Sequence, residues 1–211
     1  MKGLVLKDLY SVKKYMRQYV LFFAVFTVVG IMLKMPAYIG FLGAFYGMSL
    51  FISTFNTDEF FHWEAYVLTG PLSRRDLVKG KYVLMILLMG SAAVIAILGE
   101  LAVCVITKLS VTENFAAGLS MMIYIFLIMS VVIPLIYKFG SEKARTSMIL
   151  IFVVPVVSVA LIGKIAGTEN VNEFLEHISW PAVAVGAVIL CIMALILSYI
   201  ISLKIIEKKE F

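Results

Sequence analysis

Charge is scarce in this chain: of 211 residues only 15% are Asp, Glu, Lys or Arg, against about 25% in a typical soluble domain. The polar chemistry that catalysis draws on is thin as well, with two cysteines and two histidines. No G-x-x-x-x-G-K-[ST] phosphate loop occurs, so the chain has no ordinary means of hydrolysing a nucleotide. His62-Trp63-Glu64 does not make H-E-x-x-H and His177 stands alone, which leaves no zinc-protease pattern. A G-x-S-x-G elbow is missing too. A phosphotransferase acting on lipid headgroups would need several acids grouped for metal binding at one membrane face, and no such group is visible. Cys104 and Cys191 both lie inside apolar runs, where cysteine behaves as a small core residue rather than as half of a disulfide or a metal ligand.

What fills the space is hydrocarbon. Hydrophobic residues make up 63% of the chain and the mean hydropathy is +1.05. A helix needs about 20 apolar residues to cross a hydrocarbon core roughly 30 Å thick. That ruler predicts six spans: Tyr19–Leu33, Ala37–Thr54, Tyr82–Thr107, Phe115–Tyr137, Met148–Gly163 and Ala182–Ile206. Strict alternation is absent, so a β-barrel is not expected. The expected fold is all-α and polytopic, a single transmembrane domain over residues 1–211 with no separate globular part. The first seventeen residues lack an apolar core and a small-residue cleavage site, so the first span is expected to stay as an anchor.

The net charge of +5 has a topological explanation that needs no nucleic acid. With a cytoplasmic N-terminus and alternating spans, fifteen of the eighteen Lys and Arg residues fall inside, leaving Lys34, Lys108 and Lys164 outside. Such a bias puts both termini of a multi-pass membrane protein in the cytosol. Residues 1–18 carry Leu6, Leu9, Tyr10 and Met16 on one helical side and lysines with Arg17 largely on the other. This predicts a helix lying in the inner interface against anionic lipid; the plainer reading is that it begins the first span. Lys34-Met35-Pro36 makes a tight outer hairpin. Gly43 and Gly47 form a GxxxG pair that lets another helix approach closely. Tyr46, Ser49, Ser53 and Asn56 step along one face, as a polar path would or as helix–helix hydrogen bonds would. Glu100 is an ionisable group inside the third span, a functional candidate unless it reaches headgroup water. Pro134 and Pro155 predict kinks. Residues 164–180 predict an outer amphipathic helix, with Asn170 and Glu173 as its capping box and Trp180 as an interfacial anchor.

The stretch Thr69–Tyr82, TGPLSRRDLVKGKY, interrupts all this oil. It belongs to a polar region over residues 57–80. Asn56 or Thr57 is expected to cap a short helix with Asp58 and Glu59 in its first turn. Phe60, Phe61, Trp63, Tyr66 and Val67 follow as a dense aromatic surface. Gly70-Pro71 stops that helix, and Ser73 with Asp76 caps the next. Aromatics together with arginine are enriched at protein interfaces; a juxtamembrane belt that only anchors the bundle is the blander alternative.

With its six spans, cytoplasmic termini and basic N-terminal helix, the chain resembles the permease subunits of type-2 ABC exporters. The element Gly70-Pro71-Leu72-Ser73-Arg74-Arg75 with Lys81-Tyr82 behind it is similar to that family's first cytoplasmic loop. The opening Met1-Lys2-Gly3-Leu4-Val5-Leu6-Lys7-Asp8 and the second loop, Lys138 to Arg145, also match. The likeness runs the length of the chain and is closest to small Gram-positive permeases, including those exporting phenol-soluble modulins. It implies a coupling helix docked on a separate cytosolic ATPase, which holds the ATP and Mg while this chain holds no cofactor. The residues implied in coupling are Asp58, Glu59, Phe60, Phe61, Trp63, Pro71, Leu72, Ser73, Arg74, Arg75 and Asp76, with Gly140, Glu142, Lys143 and Arg145 of the second loop. The expected partners are that ATPase, a second permease copy or close relative, membrane lipids, and an amphipathic or lipid-like cargo. Two other classes fit the residues: a membrane protein conferring immunity or sensing without transport, and an enzyme acting on lipid headgroups through an acid such as Glu100 or Asp58.

Overall fold

The computed structural model describes residues 2–70, 72–166 and 180–208, and helices account for nearly all of them. In chain order these are α1 (Lys2–Leu33), α2 (Ala37–Phe60), α3 (Trp63–Leu68), α4 (Arg74–Thr107), α5 (Val111–Phe139), α6 (Ser141–Ala166) and α7 (Trp180–Lys208). Five helical stretches among the described residues are long and apolar enough to cross a membrane: Gly3–Leu33, Ala37–Phe60, Arg74–Thr107, Asn114–Phe139 and Val185–Lys208. The expected span Met148–Gly163 lies within α6 and is not among the five. The expected outer helix over 164–180 falls mostly on 167–179, outside the described residues, and Trp180 opens α7.

Two boundaries differ from expectation. The N-terminal segment is not a separate interfacial helix: α1 runs unbroken for 32 residues, about 48 Å at 1.5 Å per residue. No Pro and no turn residue lies near Gln18 to stop it. Leu4, Asp8, Val12 and Tyr19 of α1 are buried, while Leu6, Leu9, Tyr10 and Met16 stay exposed. The second correction concerns α2. Asn56 and Thr57 do not start a helix, and Asp58 and Glu59 occupy its last turn rather than a first one. Thr57 donates to the Ser53 carbonyl one turn back, as an interior helical threonine does. The break comes at His62, whose backbone is left-handed at φ 49°.

The Lys34-Met35-Pro36 hairpin is present, with Lys34 at φ 53° and its N–H bonded to the Ile31 carbonyl. It lays α2 against α1, and α2 packs most extensively on α4. In lipid, helices gain little by hiding apolar surface from one another, so close approach of small residues has to hold them. Gly43 meets Ala96 and Gly47 meets Ala92; a Cβ built on Gly43 would lie 2.4 Å from that of Ala96. The GxxxG pair is therefore used inside the chain. Behind this seam, Phe51, Met85, Met129 and Ile133 fill the centre of α2, α4 and α5. The Tyr82 hydroxyl bonds Ser198 at 2.6 Å and Ser202 at 3.0 Å, tying α4 to α7. Pro134 sits inside a continuous α5.

Candidate functional site

The polar residues gather at the end of the bundle where α1 and α4 begin and α2 and α7 end. There α3 forms a short corner after α2. Ser73 caps α4 as the sequence predicts: its hydroxyl accepts from the Asp76 N–H, and the Asp76 carboxylate accepts from the Ser73 N–H at 3.2 Å and hydroxyl at 2.7 Å. Pro71 lies outside the described residues. Leu72 is half-buried against the core.

Four charges meet between α1, α2 and α4. The Lys81 ammonium lies 2.6 Å from Asp58 and 3.0 Å from Asp8. Lys7 contacts Asp8 at 2.8 Å and also pairs with Asp58. Lys81 donates a further bond to the Thr54 hydroxyl at 3.1 Å. The group is balanced, two cations against two anions, and Asp8, Asp58 and Lys81 are all buried. Aromatic rings finish it: Lys81 lies 4.8 Å from the Phe55 ring centre and Lys7 4.5 Å from that of Trp63, a cation–π geometry. Trp63 thereby joins α3 to the network.

Two further contacts tie this corner to the later helices. Glu59, at the end of α2, accepts from the Ser141 backbone N–H at 2.8 Å and from its hydroxyl. A carboxylate at the start of α6 satisfies otherwise unpaired N–H groups at the positive end of the helix dipole. Gly140 makes that contact possible: it adopts φ +85°, and a Cβ there would fall 2.7 Å from a Glu59 carboxylate oxygen. At the other side, Arg74 donates to the Ile206 and Glu207 carbonyls, at 3.2 and 2.7 Å. Arg75 pairs with the Glu207 carboxylate at 3.0 Å. The first of these caps the last carbonyls of α7.

The charged residues predicted for the corner are thus engaged inside the chain. Asp58 joins the four-charge group, Glu59 caps α6, and Arg74 and Arg75 hold α7. Three aromatic side chains of the corner face outward: Phe60 is 78% exposed, Phe61 68% and Tyr66 69%. The rings of Phe60 and Phe61 meet edge to face with centres 5.0 Å apart. Glu142 and Lys143 are exposed on the first turn of α6; the Arg145 side chain lies outside the described residues. Sequence reasoning missed Lys7, Asp8 and Lys81 as a unit. One signal was available: Leu4, Asp8 and Val12 recur at four-residue spacing on one helical stripe, which puts an acid among packing residues.

The predicted polar face of α2 divides. Ser49, Ser53 and Asn56 line a groove of about 520 Å³ against Met148 and Phe152 of α6. The two serine hydroxyls donate to carbonyls of their own helix, Phe45 and Leu50, and bridge no helices. Tyr46 turns the other way and stacks on Tyr19 of α1 at 4.5 Å.

Glu100 does not reach headgroup water. It is 1% exposed, and neither carboxylate oxygen has a hydrogen-bond partner. Gly118 of α5 and Gly40 of α2 make room for it: a Cβ on Gly118 would lie 2.3 Å from one oxygen. With no bond to lose, Glu100→Leu is expected to raise the thermal midpoint of the detergent-purified protein. The gain should correspond to about 1–3 kcal/mol, the usual penalty of a buried unsatisfied polar group. A lowered midpoint would reveal a partner that this arrangement lacks.

No curated protein and no solved structure matches the chain. The family model described as ABC-2 family transporter protein matches residues 3–207, nearly the whole chain and all of the corner at the basic end. The chain therefore belongs to the ABC-2 transporter family, as a multi-pass permease subunit whose ATPase resides in a partner protein.

Proposed function

We propose that this permease serves an ATP-driven exporter of amphipathic peptides, similar to phenol-soluble modulins, and that the basic end of the bundle faces the cytosol of a bacterial cell. One observation carries the docking part. At a corner where Asp58, Glu59, Arg74 and Arg75 all make bonds within the chain, Phe60, Phe61 and Tyr66 form an exposed aromatic knob. Aromatic anchors of this kind supply much of the energy of protein interfaces. The ATPase grips the knob, with Glu142, Lys143 and Arg145 of the second loop at its rim. A ligand moves a conformational equilibrium only through contacts that differ between states. Here the corner is tied through Lys7 and Lys81 to α1 and α4, through Glu59 to α6, and through Arg74 to α7, so a pull on it reaches most of the bundle as a rigid-body movement.

Cargo passes along the face of α2 that carries Ser49, Ser53 and Asn56, apolar on the α6 side and lightly polar on its own. That mixture suits an amphipathic molecule. Two copies of this chain, or this chain and a close relative, flank the path, with two ATPases below.

Phe60→Ser with Phe61→Ser is expected to abolish co-purification of the ATPase from detergent and its stimulation by the permease, while membrane insertion and the thermal midpoint stay unchanged. Full stimulation in the inserted double variant would remove the knob from the mechanism. A permease-like immunity or sensor protein would show no nucleotide-dependent change in either form.

A further inference from the structure

We propose that the groove between α5 and α7 holds one anionic phospholipid of the inner leaflet. The proposal rests on the reading that the basic end is cytosolic. The groove has a volume of about 800 Å³. Its walls are apolar along most of their length, with Val131 and Leu135 from α5 facing Leu197 and Ile201 from α7. At the basic end it closes on two lysines, Lys138 and Lys208.

Dimensions select the occupant. The lining residues of α7 run from Ala194 to Lys208, which at 1.5 Å per residue is roughly 21 Å. One leaflet of a bilayer, headgroups included, is half of about 40–45 Å, or roughly the same length. An acyl chain along the groove therefore leaves its phosphate beside the lysines, at the depth where headgroups lie.

Charge selects the headgroup. Among the described residues neither Lys138 nor Lys208 pairs with a carboxylate; Lys138 only lies 5.0 Å from the Phe139 ring centre. The acid next to Lys208 in sequence, Glu207, is held by Arg75. The two lysine charges favour an anion over a zwitterion. A second copy of this chain fits less well, because two-fold contact is self-complementary and would bring both pairs of lysines to the same interface.

The test needs neither ATPase nor transport. The full-length permease is reconstituted in phosphatidylcholine vesicles containing a trace of either phosphatidylglycerol or phosphatidylcholine bearing a photoreactive acyl chain, confined to one leaflet. After irradiation the modified residues are mapped by mass spectrometry. The phosphatidylglycerol probe is expected to label the α5 and α7 groove residues roughly thirtyfold more than the phosphatidylcholine probe, each lysine contributing about fivefold. Lys138→Gln with Lys208→Gln should bring the two probes near parity without changing the thermal midpoint, since both side chains are exposed. Equal labelling by both probes in the unaltered protein would overturn the proposal, as would a cross-link between two copies through the groove. Selective labelling only from the leaflet opposite the basic N-terminus would instead refute the orientation. Selective labelling in a protein that fails to bind an ATPase would leave the lipid site standing and the docking reading refuted.

Discussion

Lys81→Met is expected to lower the thermal midpoint of the purified permease by on the order of 10 °C, the largest effect of any single change considered. Lys81 touches both buried carboxylates, Asp8 and Asp58. Its side chain is 10% exposed, and those of Asp8 and Asp58 are 6% and 7%. Removing it leaves one cation, Lys7, between two anions with little water to solvate them. Breaking a buried ion pair from one side costs about 3–5 kcal/mol because an uncompensated charge remains, and a domain of this size loses roughly 2–4 °C per kcal/mol. The decisive comparison is the double variant Lys81→Met with Asp58→Leu. It removes one charge of each sign and restores balance, so most of the loss should be recovered; an apolar replacement of a whole pair is often neutral. If the double variant loses as much as the two single variants added together, the four groups do not act as a unit. The functional consequence follows from Trp63, held by Lys7: loosening the network frees the corner from α1 and α4 and should uncouple ATPase stimulation before it unfolds the bundle.

Gly43→Ala should come next in size. The added carbon would fall 2.4 Å from the Ala96 Cβ, well inside van der Waals contact. Neither carbon has a torsion through which to move away, so α2 and α4 must separate along their whole seam. Overpacking of this kind costs about 1–3 kcal/mol, and in lipid no gain from hiding apolar surface offsets it. The measurement is the folded fraction recovered by size-exclusion chromatography in detergent, with Ala96→Gly as the compensating partner. Rescue by Ala96→Gly is expected to be nearly complete. A Gly43→Ala protein that elutes and melts like the unaltered one would show that the two helices do not approach so closely.

The helical class, five of the spans, the Lys34-Met35-Pro36 hairpin and the Ser73–Asp76 capping box were legible because each depends on neighbours in sequence. Hydropathy over a window, a proline, or a cap three residues from its partner needs no knowledge of the rest of the chain. The misplaced boundary at Thr57 came from the same local reasoning. Thr57, Asp58 and Glu59 have the composition of a helix start, yet α2 simply continued, and Asp58 and Glu59 found distant partners in Lys81 and Ser141. That Arg74 and Arg75 would also hold the end of α7 was not legible for a similar reason. Arginine in a loop reads as surface until a helix end supplies carbonyls, and the end of α7 lies 132 positions away in the chain from Arg74.

Glu100 and the serines of α2 show the limit in another form. A carboxylate inside an apolar run announces a cost, but whether water, a cation or glycine backbone meets it depends on which helices lie beside it. Periodicity places Tyr46, Ser49 and Ser53 near one face, and a rotation of α2 against α1 and α6 is enough to send the tyrosine to one neighbour and the serines to the other.

Composition alone made this chain a helical membrane protein and told where each helix could lie, since the bilayer imposes that length and apolarity on any single span. Which helices touch, and so which charges cancel, is set by pairings between residues far apart in the chain. Those depend on a close fit of small side chains at Gly43 and Gly47, and on the expense of leaving a charge unpaired away from water.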